Sequence, residues 1–180
     1  MKKLMALRWL LVATWGVLAL MSYKSEAQSS CVDDVPTTSA DEVFIDLLDG
    51  EVKHIASNLV YMRCSIGQVW LGGRCGGNAE LFTWREALKK STGYDFNNSS
   101  NWRLPNIKEL SLIVERACVR PALNDRVFPD TPDDDYWTSS PSVQDPLRAW
   151  SIGFFNGTSS IRTKDSSMNI RLVRTALPGE

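Results

Sequence analysis

The sequence predicts an α+β fold with antiparallel strands, and three observations favour it. Two hairpin signals, Asp49-Gly50 and Asn156-Gly157, each separate apolar stretches of the kind found in strands. Two helix-start patterns, at Thr83 and Asn106, lie between these hairpins along the chain. Strands followed by helices and then by strands again are typical of an α+β domain.

Residues 1–27 have the three parts of a secretion signal. A basic start precedes an uncharged apolar run over residues 9–21, and Ser25-Glu26-Ala27 has small residues where a signal is cut. The apolar run is shorter than the ~20 residues that span a bilayer. We therefore predict an exported chain with no transmembrane anchor after cleavage, located in the periplasm, on the outer surface or in the medium. An uncleaved anchor and a lipoprotein cut before Cys31 are the alternatives.

Removal of residues 1–27 leaves 153 residues, which suits one domain with its own core. The signal contains four of the 20 Lys and Arg and one of the 21 Asp and Glu, so 16 basic and 20 acidic residues remain. Neither a basic run nor an aromatic-basic stripe is present, so no nucleic-acid partner is predicted. We divide this part into an N-terminal arm, residues 28–42, and one domain, residues 43–176.

All four cysteines follow the signal, and an even number in an exported chain predicts two disulfides. Of the three possible pairings we favour Cys64 with Cys75, around a glycine-rich loop, and Cys31 with Cys118, which ties the arm to the domain. A zinc site needs closely spaced cysteine pairs, and the sequence has none. No metal and no cofactor are therefore predicted.

The front of the chain predicts an arm followed by strands. Residues 28–40 are polar and suit an extended arm. Apolar residues on both sides of Asp49-Gly50 predict a hairpin, and Leu59 to Met62 predict a buried strand. Val69-Trp70-Leu71 is a short apolar piece before the glycine-rich turn at residues 72–77.

Two helices follow, each with a capping signal. Thr83-Trp84-Arg85-Glu86 fits a capping box, and the helix that it starts is expected to end near Gly93. Asn106 caps the second helix, with Glu109 at the third helical position. Apolar residues then recur at helical spacing through about Ala117.

The last third of the chain returns to strands. An acidic, turn-rich loop over residues 129–135 precedes Tyr136-Trp137 and a turn of serines and proline. Apolar residues alternate with others over residues 150–154 and lead into the Asn156-Gly157 hairpin. Residues 169–176 predict a last strand, whose residues are apolar apart from two arginines and a few polar positions.

The order of these stretches resembles a bacterial domain family. The matching stretches are residues 59–64, 83–88, 102–110, 136–140, 149–150, 154–157 and 170–174. The most specific is Trp102-Arg103-Leu104-Pro105, followed by Glu109 and Leu110. On these residues the chain, from about Val43 to Ala176, resembles the family named after the C-terminal domain of the Legionella collagen-like adhesin.

The resemblance implies a C-type-lectin-like fold, with two helices packed on an antiparallel sheet and a long irregular loop region that carries recognition, here residues 119–147. In that adhesin the domain forms trimers, binds sulfated glycosaminoglycans and promotes attachment. The present chain has no collagen-like stalk, so neither trimerisation nor adhesion follows from the resemblance. The oligomeric state stays open.

The specific stretch has structural roles that its residue types suggest. Trp102 and Leu104 are expected in the core, as is typical of large apolar side chains at the start of a helix. Pro105 ends the preceding extended segment, and Arg103 is expected to pair with an acid or with loop carbonyls. Trp84, Trp137 and Trp150 are expected mainly in the core as well.

The candidate ligand-binding residues are Arg120, Arg126, Arg148 and Trp137. Guanidinium groups bind sulfate or carboxylate in a planar fork, and an exposed indole stacks on a sugar. The alternative is that the arginines satisfy loop carbonyls and nearby acids. The acids of residues 130–135 predict a solvated turn, because the triplets of calcium-dependent lectins are absent.

The sequence shows no catalytic constellation. The single histidine, His54, is far in sequence from any serine or cysteine nucleophile, and the cysteines are expected to be oxidised. We therefore predict a non-enzymatic binding module that recognises a surface glycan, acidic or sulfated glycans included, or an envelope protein. The alternative is a structural or accessory subunit of a pilus or secretion assembly.

Overall fold

A computed structural model describes residues 29–180, so the predicted secretion signal lies outside the described part. Within residues 29–180 the strands pair antiparallel in four sheets, together with two α-helices, which confirms the α+β class. No helix in this part is both long and apolar enough to cross a membrane. The helices are α1 (Trp84–Ser91) and α2 (Ile107–Ser111). The strands are β1 (Ser30–Cys31), β2 (Phe44–Leu48), β3 (Glu51–His54), β4 (Leu59–Met62), β5 (Val69–Trp70), β6 (Cys75–Gly76), β7 (Cys118–Val119), β8 (Asp135–Pro141), β9 (Arg148–Gly153), β10 (Thr158–Thr163) and β11 (Val173–Thr175).

The largest sheet has four strands in the order β11-β4-β3-β2. Its β2–β3 hairpin turns at Asp49-Gly50, as predicted. Gly50 has a positive φ of 87°, and a Cβ there would lie 2.9 Å from the Trp70 side chain, so the turn requires glycine. The last strand, β11, pairs with the buried β4, which brings the end of the domain back to its beginning.

The capping box predicted for α1 is present. The Thr83 amide and hydroxyl donate to the Glu86 carboxylate at 2.9 and 2.7 Å. The helix ends at Ser91, before Gly93, as the sequence predicts. Ala87 and Ser91 are its buried residues, and Trp84 is half-buried.

The second helix is shorter than predicted. Asn106 accepts hydrogen bonds from the amides of Lys108 and Glu109, which confirms the cap. However, α2 ends at Ser111 and does not reach Ala117. From residue 112 to 114 the amides donate to carbonyls three residues back, and Val114 forms a bridge with Leu123. Apolar residues keep a helix-like spacing beyond the end of α2 because the tighter turn that follows also packs its apolar side chains into the core.

The second sheet has the order β10-β9-β8 and forms around the predicted Asn156-Gly157 hairpin. The predicted turn of serines and proline lies instead within β8, as an irregularity between Trp137 and Pro141. The irregular loop expected over residues 119–147 is therefore interrupted by a strand. Pairing with β9 stabilises an extended conformation that local residue preferences do not predict.

The core consists of two clusters of buried apolar side chains. One surrounds Phe128 and Ile152, and the other contains Trp102 with Leu104. Trp102 and Leu104 are both 2% exposed, which confirms their predicted place. Trp150 is half-buried and belongs to neither cluster, so its predicted core position is wrong. It lies opposite Ile161 of β10, the outer strand of the sheet, where fewer segments cover it.

Two disulfides have the pairing that the sequence favoured. Cys64 is bonded to Cys75, and Cys31 is bonded to Cys118 across 87 residues. The second disulfide links β1 of the arm to β7. In the chain-entropy model a loop of this length lowers the entropy of the unfolded state by an amount worth about 4–5 kcal/mol.

Candidate functional site

Trp137 cannot contact a ligand in this structure. Its side chain is fully buried in the cluster of Trp102, and its indole nitrogen donates to the Phe82 carbonyl at 2.9 Å. The prediction that Trp137 binds a ligand is therefore wrong, whereas the expectation that it lies in the core is confirmed. The indole faces the core because β8 packs that side against α1 and the residues before β11.

The three candidate arginines are exposed, but the structure does not bring them together. Each is paired with a different acid: Arg120 with Asp133 at 4.0 Å, Arg126 with Asp41 at 3.4 Å, and Arg148 with Asp145 at 3.2 Å. Arg120 and Arg126 lie at different points of the loop between β7 and β8, and Arg148 begins β9. This arrangement favours the alternative that these arginines satisfy nearby acids.

A cleft of about 350 Å³ lies between the end of the loop region and the β9–β10 turn. Three consecutive acids, Asp133 to Asp135, line it together with Phe155 and Arg162. Arg120 lies over the Phe155 ring, 4.0 Å from its centroid. Because carboxylates dominate its lining, this cleft disfavours a polyanionic ligand.

The other groups singled out by the sequence are held in structural contacts. The Asp130 carboxylate accepts a hydrogen bond from the Cys75 amide at 2.7 Å. His54 shares a hydrogen bond of 2.8 Å with the Ser57 hydroxyl, and burial lowers the pKa of its imidazole. Across residues 29–180 no group of three His, Cys, Asp or Glu side chains is arranged to hold a metal ion.

A larger groove lies where three elements meet: the start of α1, the end of β10 and the loop between β8 and β9. Its volume is about 510 Å³, within the range of small-molecule sites. We call it the indole groove. It is lined by Thr83, Trp84, Arg85, Glu86, Leu88, Pro146, Leu147, Lys164 and Asp165.

Hydrogen bonds fix the half-buried indole of Trp84 in this groove. Its ring nitrogen donates to the Thr138 carbonyl at 2.8 Å, and its amide donates to the Lys164 carbonyl at 2.9 Å. The ammonium of Lys164 lies 4.2 Å from the ring centroid and donates to the Pro146 carbonyl at 2.7 Å. The groove therefore presents an aromatic face with a cation held beside it.

The charged side chains of the groove differ in whether they already have a partner or are available to bind a ligand. The Glu86 carboxylate is engaged by the capping box, and the hydrogen bonds from the Thr83 hydroxyl and amide lower its pKa. In contrast, the Arg85 guanidinium forms no ion pair or hydrogen bond with any residue of the described part, and neither does Lys89 one turn later. The remaining acid of the lining is Asp165, which follows Lys164 in the chain.

This arrangement provides the two contacts that bind acidic sugars. An indole face packs against the apolar face of a sugar ring, and a free guanidinium binds a carboxylate or sulfate through two parallel hydrogen bonds. Arg85 and Lys89 are four residues apart, which places them on the same side of α1. Their positive charge adds to that of Lys164.

Sequence reasoning missed this site. The capping box accounts for Thr83 and Glu86 but not for Arg85, which has no acid four residues before or after it. That local pattern could have identified Arg85 as an available cation. Lys164 could not be found in this way, because it is 80 residues from Trp84 and only the fold brings them together.

The comparisons with known proteins agree with the order of motifs along the chain. No curated protein matches the sequence. The family model for the Lcl C-terminal domain matches residues 50–174, which include both helices, both disulfide-bonded residues Cys64 and Cys75, and the two main sheets from β3 onward. The chain therefore belongs to the Lcl C-terminal domain family.

Proposed function

We propose that this chain is an exported, non-enzymatic binding module and that the indole groove binds an acidic sugar of a surface glycan. The observation that carries the proposal is the combination of Trp84, Arg85 and Lys164 in one groove of about 510 Å³. The guanidinium of Arg85 has no ionic or hydrogen-bonding partner among the described residues, whereas the arginines of the loop region are paired with acids.

We also propose that the scaffold is C-type-lectin-like. Two helices, two disulfides and the pairing of β11 with β4 support this assignment, as does the irregular segment over residues 120–134. Such a scaffold holds binding loops on rigid strands, so the groove is formed before the ligand arrives.

Binding, and not catalysis, is supported by the state of the reactive side chains. The four cysteines are in disulfides, and His54 is bonded to Ser57 away from the indole groove. The carboxylate of Glu86 in the groove is already occupied by its helix cap. A ligand in the groove meets an indole face and cations, which are groups suited to hold it.

Retention on a heparin column at low salt tests the anionic part of the proposal. The chain from residue 28 onward is compared with Arg85→Glu/Lys89→Glu and with the control Lys108→Glu/Arg116→Glu, which makes the same charge change at two other exposed cations. We expect wild type and control to be retained and the groove variant to elute early. Equal loss in both variants would mean that only overall charge matters.

A glycan array tests the sugar itself. Wild type is expected to bind acidic glycans, and Lys164→Gln is expected to weaken this binding while leaving the Trp84 indole in place. Absence of binding by wild type on both the array and the column at low salt would overturn the proposal.

A further inference from the structure

β10 is the outer strand of its sheet and pairs only with β9 among the described strands. The hydrogen bonds around β9 show which way each residue points. The Phe154 amide donates to the Asp134 carbonyl at 2.9 Å, and the Thr138 hydroxyl donates to the Trp150 carbonyl at 2.7 Å. Even-numbered residues of this segment therefore face β8, and odd-numbered residues face β10.

The register then identifies the free groups of β10. The odd-numbered residues of β9 stand opposite Thr158, Ser160 and Arg162. The backbone groups of Ser159, Ile161 and Thr163 must point away from β9, because the bonding direction alternates along an antiparallel strand. The Thr163 carbonyl accepts from Ser166, whereas no residue of the described part bonds the backbone of Ser159 or Ile161 from outside the sheet.

The other edges of the two main sheets differ from β10, since β8 and β11 are bridged by other segments, β11 through Arg103 and Val173, and β2 is irregular. At β8, the Trp137 amide donates to the Asn169 carbonyl at 3.0 Å and the Asn169 amide donates to the Asp135 carbonyl at 3.1 Å, so the segment before β11 covers this edge. At β2, the register shifts between Asp46 and Leu48, and Leu48 has a positive φ of 69°. β10 has no proline and no register shift, and its one charged side chain, Arg162, is paired with Asp135 of β8 in its own sheet, so few of the features by which edge strands avoid pairing are present.

An apolar strip lies beside this open edge. Ile161 is directly opposite Trp150, so the two side chains share one face of the sheet. Both are half-buried, and the Trp150 indole has no ring contact or hydrogen bond with its described surroundings. A strand added next to β10 would cover Ile161 and part of this strip.

We propose that β10 pairs with β10 of a second copy of this chain, antiparallel and centred on Ile161, so that two three-stranded sheets join into one of six strands. The strand is complementary to itself in this register. Ser160 of one copy faces Arg162 of the other, Ser159 faces Thr163, and no like charges are opposed. The two Ile161 residues form a hydrogen-bonded pair with Cα atoms ~5.5 Å apart.

This pairing has a consequence that rests on the proposed function. Lys164 follows β10 directly, three residues from the symmetry axis, which is ~10 Å along a strand. The two indole grooves therefore lie on either side of the axis, and a polymeric ligand that reaches both binds more tightly than one groove allows.

Sedimentation velocity without any glycan tests the pairing. Wild type is expected to shift from monomer to dimer as its concentration rises. Ile161→Lys and Ile161→Glu place like charges face to face, so each alone is expected to weaken dimerisation by about tenfold or more. An equimolar mixture of the two variants is expected to form dimers again, because the charges are then opposite.

Two controls separate this pairing from other effects. Val143→Lys adds charge at a side chain that is 98% exposed on a different loop, and it should dimerise like wild type. Arg85→Glu/Lys89→Glu should also dimerise, so failure of the glycan proposal leaves this one intact. A wild type that stays monomeric, a dimer that persists in Ile161→Lys, or a mixture that stays monomeric would overturn the proposal.

Discussion

Two groups of arginines in this molecule carry the same charge and have opposite surroundings. Arg171 and Arg174, near the end of the domain, are almost completely buried, with 0% and 3% exposed. The candidate ligand-binding arginines, Arg120, Arg126 and Arg148, have exposed side chains paired with surface acids. Such surface pairs contribute little to stability, whereas buried ones are costly to disturb.

Arg171 is buried without a carboxylate partner among the described residues. Its guanidinium donates to the Met62 carbonyl at 2.8 Å, to the Arg63 carbonyl, and to the Thr131 hydroxyl at 2.6 Å. Burial lowers its pKa to about 10, so it stays charged at neutral pH. It therefore connects β4 to the loop that precedes β8 through neutral acceptors.

Arg174 is buried with two acids. It pairs with Glu51, itself 4% exposed, and with the Glu180 carboxylate at 2.7 Å. Burial acts to lower its pKa, but the hydrogen bonds from Arg174 to these carboxylates raise it overall. An arginine in a sequence therefore indicates a ligand contact only when no residue that it meets in the folded structure pairs with its guanidinium. Arg85 meets this condition among the described residues.

The largest effect is expected for Arg174→Met, which leaves the Glu51 carboxylate buried without its cation. We expect a loss of about 3–5 kcal/mol in the free energy of unfolding, measured by urea denaturation. The double variant Glu51→Gln/Arg174→Met should lose less than the sum of the single variants, because no unpaired charge remains. A single-variant loss below about 1 kcal/mol would contradict the role of this pair.

A smaller loss is expected for Arg171→Met, about 2–3 kcal/mol in the same measurement. The carbonyls of Met62 and Arg63 and the Thr131 hydroxyl lose a buried donor, but an unpaired buried cation is removed at the same time. Arg171→Lys retains charge with a different donor geometry and should recover only part of the loss. Full stability of Arg171→Met would show that these hydrogen bonds contribute nothing net.

Arg103 provides an intermediate case, because it forms two hydrogen bonds of 2.7 Å to the Glu109 carboxylate while remaining partly exposed. The hydrogen bond from Arg103 holds the pKa of Glu109 below its ordinary value. The Arg103–Glu109 pair therefore stabilises the fold fully above about pH 4.5, and this stabilisation is lost as the pH falls through the lowered pKa of Glu109.

Replacement of Arg103 by Gln should lower the free energy of unfolding by about 1 kcal/mol at pH 7. Urea denaturation between pH 6 and pH 3 should then show a weaker dependence on pH than in wild type, because the pKa of Glu109 moves back toward its ordinary value. An unchanged pH profile would mean that this pair does not contribute to acid sensitivity.

The smallest effects are expected for the surface arginines. Arg126→Ala and Arg148→Ala should each change the free energy of unfolding by less than about 0.5 kcal/mol, since water screens both ion pairs. Neither should reduce heparin retention as much as Arg85→Glu/Lys89→Glu does. A stability loss above about 1 kcal/mol for either variant would remove the contrast with Arg174.

Much of the fold could be predicted because its signals are local. The capping boxes at Thr83 and Asn106 and the turns at Asp49-Gly50 and Asn156-Gly157 depend on residues within four positions of each other. The end of α2 could not be predicted in this way, because the apolar spacing is the same whether the chain continues as a helix or tightens into a turn.

The candidate site was predicted less well than the fold. The arginines of the loop region suggested binding of an anionic ligand, but whether an acid already pairs with each one depends on the fold, as for Arg126, whose partner Asp41 is 85 residues away. The indole groove joins residues 83–88 to residues 146–147 and 164–165, and no local pattern connects these segments. The family motifs indicated that these segments belong to one domain, but they did not indicate which side chains have no ionic partner in the fold.

The sequence alone determined the α+β class, the helix starts, the hairpin turns and the family, because these depend on short-range hydrogen bonding and on the order of motifs. The tertiary structure alone decided that Arg171 and Arg174 are buried, that Trp137 is closed to ligands, and that Arg85 lies free beside Trp84. The physical reason is that a side chain's exposure and its ionic partners depend on distant segments, which packing brings into contact after the local structure has formed.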